Sequence, residues 1–308
     1  MIEAGLPNPS TTNRGGFARL HAFNFDAPTS LDEALKVLAA HGEKARPLSG
    51  GTDLIIQMRA GVRRPEHVVD IKQIRELREL KFDPKQGLRL GAAVSCIEIH
   101  ENAIMRQHYP GLTEAAHLIG SLQIQNRASV GGNLCNGSPA ADSTPALIAL
   151  GARARIAGPK GEREVPVDKF VLSPGRTVLE PGELLVQLLI PAPAAHSSDA
   201  YLRFIPRNEM DIAVVGVGAS VTLDGGKISA VRIGLGAIAA TPLVAVKAAE
   251  SLVGKQLDEA ALAAAGRLAS EAGAPIDDMR GTAEYRRHIT SVLTRRVLTI
   301  AAGRAAKA

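Results

Sequence analysis

The sequence predicts an α+β protein made of three successive units, and three patterns support that class. A strand, a glycine turn and a helix start follow one another at residues 46–59. Strand patterns flank a hairpin turn at residues 154–166, and strands alternate with a turn at residues 212–236 before helical patterns take over. With 308 residues, 45% of them hydrophobic, the chain is long enough for more than one packed core.

The composition argues against several classes of protein. The 36 Lys and Arg residues are interspersed with 31 Asp and Glu residues, only 3% of residues are aromatic, and Trp is absent, so nucleic-acid binding is not expected. Cys96 and Cys135 are too few for a secreted disulfide scaffold, which favours a cytoplasmic location. Residues 1–16 are rich in small and polar residues and predict a disordered lead. No apolar run reaches the roughly 18 residues that would predict a membrane span.

We place the boundaries of the three units at residues 17–78, 79–195 and 196–308. In the first unit we predict a helix that begins at a Ser30–Glu33 capping box and ends near Gly42, strands at 46–48 and 67–71, and a helical segment at 54–59. In the second we predict strands at 88–93, 154–157, 164–166 and 184–190, a capping box at Ser95 and Glu98, and a helix at 113–119. In the third we predict strands at 212–223 and 228–236, then helices at 241–252, 259–271 and 284–301.

Two polar loops, each with a Gly-Gly pair, are the strongest functional signal. The first is Ser49-Gly50-Gly51-Thr52-Asp53, and the second is Ser129-Val130-Gly131-Gly132-Asn133. Glycine lets a backbone approach a ligand closely, and successive N–H groups in such turns can bind an anion. The loops can therefore converge on one pyrophosphate, with Asp142 following at a spacing suited to a ribose or ribityl hydroxyl. Two unrelated polar turns are the alternative. We expect the wider stretch, residues 124–147, to lie outside the core.

Other motifs carry no function in this interpretation. The pairs Gly216-Val-Gly218 and Gly234-Leu-Gly236 do not complete a dinucleotide fingerprint, since Val221 and Ala239 occupy the third glycine position. The eight histidines form no metal-binding pattern, so we predict neither a metal site nor a catalytic residue in this chain. Cys135 lies beside the second glycine loop, and we interpret it as a packed residue rather than a nucleophile.

Four segments, read in order, resemble one known family. They are residues 47–54, with Pro-Leu-Ser-Gly-Gly-Thr-Asp-Leu, residues 126–142, with Asn-Arg-Ala-Ser-Val-Gly-Gly-Asn-Leu-Cys-Asn-Gly-Ser-Pro-Ala-Ala-Asp, and residues 201–213 and 278–287. The chain resembles the FAD-binding medium subunit of molybdenum hydroxylases, relatives of the xanthine dehydrogenase and carbon monoxide dehydrogenase flavoproteins. The resemblance implies a PCMH-type FAD-binding fold of two α/β subdomains, followed by a C-terminal domain with a three-stranded antiparallel sheet and a helix bundle.

The resemblance also implies which residues bind FAD. They are Ser49, Gly50, Gly51, Thr52, Asp53, Ser129, Val130, Gly131, Gly132, Asn133, Asn136, Asp142, Leu185 and Arg203. Arg203 stands where the family usually has a lysine near the flavin ring. Some members hold an iron–sulfur cluster in this subunit, but two cysteines are too few for four thiolate ligands, so no cluster is expected here.

By this resemblance, the protein is expected to be the FAD-carrying electron-transfer subunit of a molybdenum-containing hydroxylase or dehydrogenase. It would take electrons from a [2Fe–2S] small subunit, pair with a large subunit that holds the molybdenum cofactor, and pass the electrons to an external acceptor. A dimer of heterotrimers is the expected assembly. A stand-alone FAD-dependent reductase of the same fold and an assembly module without FAD are the alternatives. The substrate and the acceptor, whether NAD⁺, O₂, a quinone or a carrier protein, stay open at this stage.

Overall fold

The N-terminal part of the protein contains a small parallel sheet. The computed structural model describes residues 20–308, and the predicted disordered lead at residues 1–16 lies outside this range. The elements are β1 (Asn24–Asp26), α1 (Leu31–His41), β2 (Ala45–Leu48), α2 (Leu54–Arg59) and β3 (His67–Asp70). The strands lie in the order β1-β3-β2 with parallel pairing. As predicted, β2 runs directly into the first glycine loop and α2 follows it.

The next part of the chain is built on an antiparallel sheet. Its elements are β4 (Leu80–Asp83), β5 (Gly87–Gly91), α3 (Cys96–Glu101), α4 (Ala103–His108), α5 (Pro110–His117), α6 (Leu122–Gln125), α7 (Val130–Cys135), α8 (Ser143–Ala149), β6 (Arg153–Gly158), β7 (Gly161–Pro166), β8 (Val171–Ser173), β9 (Arg176–Thr177) and β10 (Leu184–Ile190). The large sheet has the order β4-β5-β10-β6-β7, while β8 and β9 form a separate hairpin. The predicted capping box at Ser95 and Glu98 is confirmed at the start of α3.

The C-terminal part pairs a sheet with three helices. Its elements are β11 (Ser197–Phe204), β12 (Val215–Asp224), β13 (Lys227–Gly236), β14 (Leu243–Val244), α9 (Val246–Glu250), α10 (Glu259–Glu271) and α11 (Ala283–Ala305). Three long antiparallel strands and the two-residue β14 lie in the order β11-β12-β13-β14. The predicted α+β class is thereby confirmed. The divisions near residues 78 and 195 fall between sheets, and we keep them as our proposal for the domain limits. Within residues 20–308 no helix combines the length and apolar character that crossing a membrane requires.

Two predictions about local structure are wrong. The helix predicted at residues 241–252 is shorter, because residues 243–244 pair with the open edge of β13 and helix α9 begins only afterwards. The stretch at residues 124–147 is not outside the core, since it contains α7 and most of α8, and every residue of α8 is buried. Small Ala, Ser and Thr side chains let α8 fit between the central core and the C-terminal sheet, where it contacts β12 and β13.

The glycine pairs in β12 and β13 make that close contact possible. A Cβ atom added to Gly218 would lie 2.6 Å from the Pro145 carbonyl oxygen of α8, and one added to Gly234 would lie 2.3 Å from the same atom. Contacts this short are not tolerated, so only glycine fits at these positions. The Gly-x-Gly pairs that do not match a dinucleotide motif therefore mark the place where the C-terminal sheet receives α8.

A buried carboxylate makes a second connection to the C-terminal part. Asp199 of β11 is 2% exposed, and its Oδ2 accepts a hydrogen bond of 3.1 Å from the backbone N–H of Leu112 in α5. Arg304 of α11 donates to the Asp199 carbonyl oxygen and also pairs with Glu114 of α5. Burial raises the pKa of Asp199 to about 7, with the backbone hydrogen bonds and Arg304 acting in the opposite direction.

We expect Gly234→Ala to lower the free energy of unfolding by about 1–3 kcal/mol or more, because the new methyl group overpacks the contact with Pro145. Urea denaturation measures the change. Gly303→Ala is the matched control, since a Cβ added there in α11 meets nothing within 4 Å. That control should gain about 0.5–1 kcal/mol through helix propensity. Equal stability of Gly234→Ala and the wild type would contradict the proposed packing.

We expect Asp199→Asn to flatten the dependence of stability on pH. The folded pKa is raised from an ordinary value of 3.8 to about 7, so the unfolded chain releases this proton earlier than the native protein. Stability from this group is complete below about pH 4 and is lost as the pH rises to about 7, at up to roughly 1.4 kcal/mol per pH unit. Denaturation at a series of pH values should show a steeper loss of stability between about pH 4 and pH 7 in the wild type than in the variant. Parallel profiles for the two proteins would refute the assignment.

Candidate functional site

The two glycine loops form opposite walls of one cleft. The cleft has a volume of about 710 Å³, within the range of roughly 300–1,000 Å³ that is usual for small-molecule and cofactor sites. The first loop and the start of α2 form one wall, and the start of α7 forms the other. Part of the β8–β9 hairpin and the residues that follow it, up to Leu185, add to the lining, as do residues near the end of α1 and in β2.

The first loop touches the backbone of the second segment. A Cβ atom added to Gly50 would lie 1.9 Å from the Arg127 carbonyl oxygen, so a side chain at this position would push the two walls apart. Gly51 has a φ of +76°, a left-handed conformation that residues with a side chain rarely adopt. Glycine is therefore required at position 50 because the backbones approach closely, and it is favoured at position 51 because of the left-handed backbone conformation.

Hydroxyl groups connect the two loops where they meet. The Oγ atoms of Ser49 and Ser129 lie 3.0 Å apart and share a hydrogen bond. Ser129 also caps α7, because its Oγ accepts a hydrogen bond from the backbone N–H of Gly132 at 3.0 Å. On the same wall, Asn133 accepts a hydrogen bond from the hydroxyl of Ser143 at the start of α8. The position of each loop thus depends on the other.

The first loop leaves its backbone donors free. Among residues 20–308, no protein acceptor receives a hydrogen bond from the backbone N–H groups of Gly50, Gly51, Thr52 or Asp53. Strong donors of this kind need a partner, and a run of them is an anion-binding arrangement. The loop is therefore suited to the oxygens of a phosphate group.

Arginines add positive charge to the cleft. The guanidinium of Arg46 donates to the Ala45 carbonyl oxygen, and that of Arg63 donates to Gln57 and to the Gly175 carbonyl oxygen. Within the described chain neither arginine forms a salt bridge with a carboxylate, so both charges are available to an anion. Burial lowers the pKa of Arg46, and the neighbouring charge of Arg63 lowers it further.

Carboxylates on the lining offset this charge only partly. Burial raises the pKa of Asp53. Glu183 is paired with Arg163 at 2.7 Å, and that hydrogen bond lowers the pKa of Glu183. The charge of Glu183 is therefore satisfied within the wall. Glu180, also in the lining, pairs with Lys160, while Glu43 interacts with the charge of Arg46.

Most of the predicted site residues line this cleft. Those that do are Ser49, Gly50, Gly51, Thr52, Asp53, Ser129, Gly131, Gly132, Asn133, Asn136 and Leu185. Val130 is 1% exposed and packs into the core beneath the loop, so its side chain does not form part of the lining. Asp142 and Arg203 also lie outside the lining. Direct contact of any of these residues with FAD stays a prediction.

Asp142 and Arg203 are brought together in a buried cluster. Arg203 Nη1 donates to Asp142 Oδ2 at 2.8 Å, and the Tyr201 hydroxyl donates to Asp142 Oδ1 at 2.8 Å. Burial raises the pKa of Asp142 to about 6, while the charge of Arg203 and both hydrogen bonds act to lower it. The sequence resemblance implied that both residues contact the cofactor, but in this structure their side chains are hydrogen-bonded to each other.

Cys135 lies on the cleft wall and is half-buried. Burial raises the pKa of its thiol to about 12, which favours the protonated thiol at neutral pH. The prediction of a packed residue is consistent with this environment. In the part of the chain that the structure describes, no cluster of three or more His, Cys, Asp or Glu side chains is arranged to hold a metal ion.

Sequence reasoning missed several residues of the lining. Arg46, Gln57, Arg63 and Arg176 all face the cleft, although none belongs to a glycine motif. One signal for Gln57 was available, because it follows Asp53 by four residues and such residues share a helix face. Arg176 had no comparable signal, since only the folded hairpin brings it to the cleft.

We expect Gly50→Ala to weaken binding of FAD, the cofactor implied by the resemblance, by at least about tenfold. The new methyl group would collide with the Arg127 carbonyl and separate the two walls, so the pyrophosphate could no longer contact both loops. Calorimetric titration of the flavin-free protein with FAD measures the effect. Gly303→Ala, far from this contact, should bind FAD like the wild type. Undiminished affinity in Gly50→Ala would argue against a clamp made from both loops.

Comparison with known proteins places the chain in a family. The "FAD binding domain in molybdopterin dehydrogenase" matches residues 21–193, and the "CO dehydrogenase flavoprotein C-terminal domain" matches residues 200–301. The putative xanthine dehydrogenase FAD-binding subunit of Escherichia coli K12 is 33% identical over 90% of this chain and 94% of its own length. The carbon monoxide dehydrogenase medium chain of Afipia carboxidovorans is 35% identical over 92% of this chain and 98% of its own length.

Solved structures agree with the sequence comparison. Reconstituted CO dehydrogenase from Oligotropha carboxidovorans contains a chain that superposes with a TM-score of 0.89 at 34% identity, covering 93% of this chain and 99% of the other. Quinoline 2-oxidoreductase from Pseudomonas putida 86 gives a TM-score of 0.86 at 31% identity, covering 93% and 99%. The chain, with its FAD-binding domain, therefore belongs to the family of FAD-binding medium subunits of molybdenum hydroxylases, and it is a subunit of an oxidoreductase.

Proposed function

We propose that this protein is the FAD-carrying electron-transfer subunit of a molybdenum-containing hydroxylase or dehydrogenase. In this role it takes electrons from a [2Fe–2S] partner subunit and passes them to an external acceptor. The observation that carries the proposal is the contact of two glycine loops across one cleft, with free backbone donors and arginines that lack a carboxylate partner within residues 20–308. That arrangement is suited to a dinucleotide with a pyrophosphate at its centre.

The chemistry of the cleft suits FAD, and its volume is usual for a cofactor site. Residues 49–53 and 129–133 would hold the pyrophosphate through backbone N–H groups and hydroxyls. Apolar side chains in the lining, among them Leu172 and Leu179, offer surfaces for the aromatic parts of the cofactor. When bound, FAD supplies redox chemistry that can accept and release electrons. The protein contributes binding, orientation and the electrostatic environment.

In this proposal the charged residues of the chain either compensate the charge of the cofactor or orient the loops that bind it. The free N–H groups of the first loop and the guanidiniums of Arg46 and Arg63 offset the negative charge of the pyrophosphate. The buried pair of Asp142 and Arg203 fixes the loop between α7 and α8 relative to β11. Because the pair is buried and nearly neutral as a unit, it contributes orientation more than net charge.

Partners and location complete the proposal. The Afipia carboxidovorans relative is named a medium chain, which supports the presence of other subunits. We infer a small iron–sulfur subunit, a large molybdenum-cofactor subunit and a dimer of such heterotrimers, located in the cytoplasm. The two-cysteine composition supports a reducing compartment.

We expect the natively purified protein to carry FAD and to copurify with two partner chains. Mass spectrometry would identify the chains, and the visible absorbance of oxidised flavin would report the cofactor. Substrate added to the complex should bleach the flavin, whereas NADH or NADPH added to the isolated chain should not start turnover with a small-molecule substrate. Self-sufficient turnover would favour the stand-alone reductase, and a protein that cannot bind FAD would refute the electron-transfer role.

A further inference from the structure

Three side chains form a hydrogen-bonded relay between the walls of the cleft. Arg63 Nε donates to Gln57 Oε1 at 3.1 Å, and Gln57 Nε2 donates to Asn136 Oδ1 at 2.9 Å. Gln57 lies on α2 of the first wall, and Asn136 follows α7 on the second. All three residues line the cleft. The relay therefore joins segments that are 79 residues apart in the chain.

The chemistry of the relay permits only one orientation of the amides. A guanidinium has donors and no acceptor, so Arg63 must face the carbonyl oxygen of the Gln57 amide. The Gln57 NH₂ group then points to the other wall and needs an acceptor. Of the two ends of the Asn136 amide, the carbonyl oxygen is the one that can accept. Because Arg63 can only donate, the orientation of the Gln57 amide is fixed, and the Gln57 amide in turn fixes that of Asn136.

The free end of the relay is a donor. With its Oδ1 occupied by Gln57, Asn136 presents its Nδ2 group, which donates to no protein acceptor within residues 20–308. An Asn in the opposite orientation would present a carbonyl oxygen, which cannot donate a hydrogen bond to an acceptor such as a phosphate oxygen. The cleft already contains free backbone N–H groups and positively charged arginines. The Asn136 NH₂ group adds a side-chain donor that also favours an anionic ligand.

We propose that Arg63 and Gln57 are positioning residues that lock Asn136 as a hydrogen-bond donor to an oxygen of the bound dinucleotide. This inference rests on the proposed function, because it takes FAD as the ligand of the cleft. Neither Arg63 nor Gln57 needs to touch the cofactor in order to act. Their contribution is a fixed amide orientation, present before the ligand arrives.

The decisive substitution is Gln57→Glu, which keeps the shape of the side chain and replaces its donor with an acceptor. Arg63 then pairs with a carboxylate, so thermal stability of the flavin-free protein should be unchanged or higher. Asn136 must turn its NH₂ group toward the new carboxylate and present its carbonyl oxygen to the cofactor. The dissociation constant for FAD should rise about tenfold or more, the usual effect of losing a hydrogen bond to a charged group.

The added negative charge at position 57 needs its own control. In an Asn136→Ala background the Asn136 NH₂ group is absent. Any effect of Gln57→Glu on FAD affinity in that background therefore measures only repulsion between the new charge and FAD. We expect Gln57→Glu to raise the dissociation constant several-fold more in the wild-type background than in the Asn136→Ala background.

The outcomes separate the inference from the function on which it rests. Equal effects of Gln57→Glu in both backgrounds would overturn the relay, because charge alone would explain the loss of affinity. An affinity for FAD that is unaltered by Gln57→Glu would overturn it as well. Failure of the wild-type protein to bind FAD would refute the proposed function itself, a result that the titration of the unsubstituted chain shows before any variant is compared.

Discussion

The approach of Gly50 to the backbone of Arg127 is the constraint on which the cleft depends. An added Cβ would lie 1.9 Å from a carbonyl oxygen, so the two segments are in direct backbone contact. The Ser49–Ser129 hydrogen bond and the Gln57–Asn136 bond act across the same boundary. Without this contact the two loops would be separate polar turns, and free N–H groups would not face a common space.

The C-terminal sheet supports the cleft from behind. Pro145 of α8 rests on the glycines of β12 and β13, and α8 follows the loop that begins at α7. The cluster of Asp142, Tyr201 and Arg203 holds that same loop. The second glycine loop therefore contacts the first loop on one side, and the segment that follows it contacts the C-terminal sheet on the other.

Much of the fold and part of the site could be predicted from the sequence. Capping residues and apolar periodicity located α1, α3 and α10, and two Gly-Gly pairs indicated the cleft, because these signals are local. Local patterns could not show that residues 243–244 would pair with the edge of β13, or that α8 would be buried on every side. Nor could they show that Asp142 and Arg203 would face each other, since that depends on how β11 docks against a distant loop.

The distance in sequence between the two loops couples ligand binding to the stability of the fold. Ser49 and Ser129 are 80 residues apart, so completing the cleft requires the closure of a long stretch of chain, which costs conformational entropy. A ligand that binds only the closed form stabilises it by mass action. A ligand that contacts both loops would therefore contribute more to the stability of the folded chain as its concentration rises, and the ligand-free chain would be the form more easily cleaved by proteases.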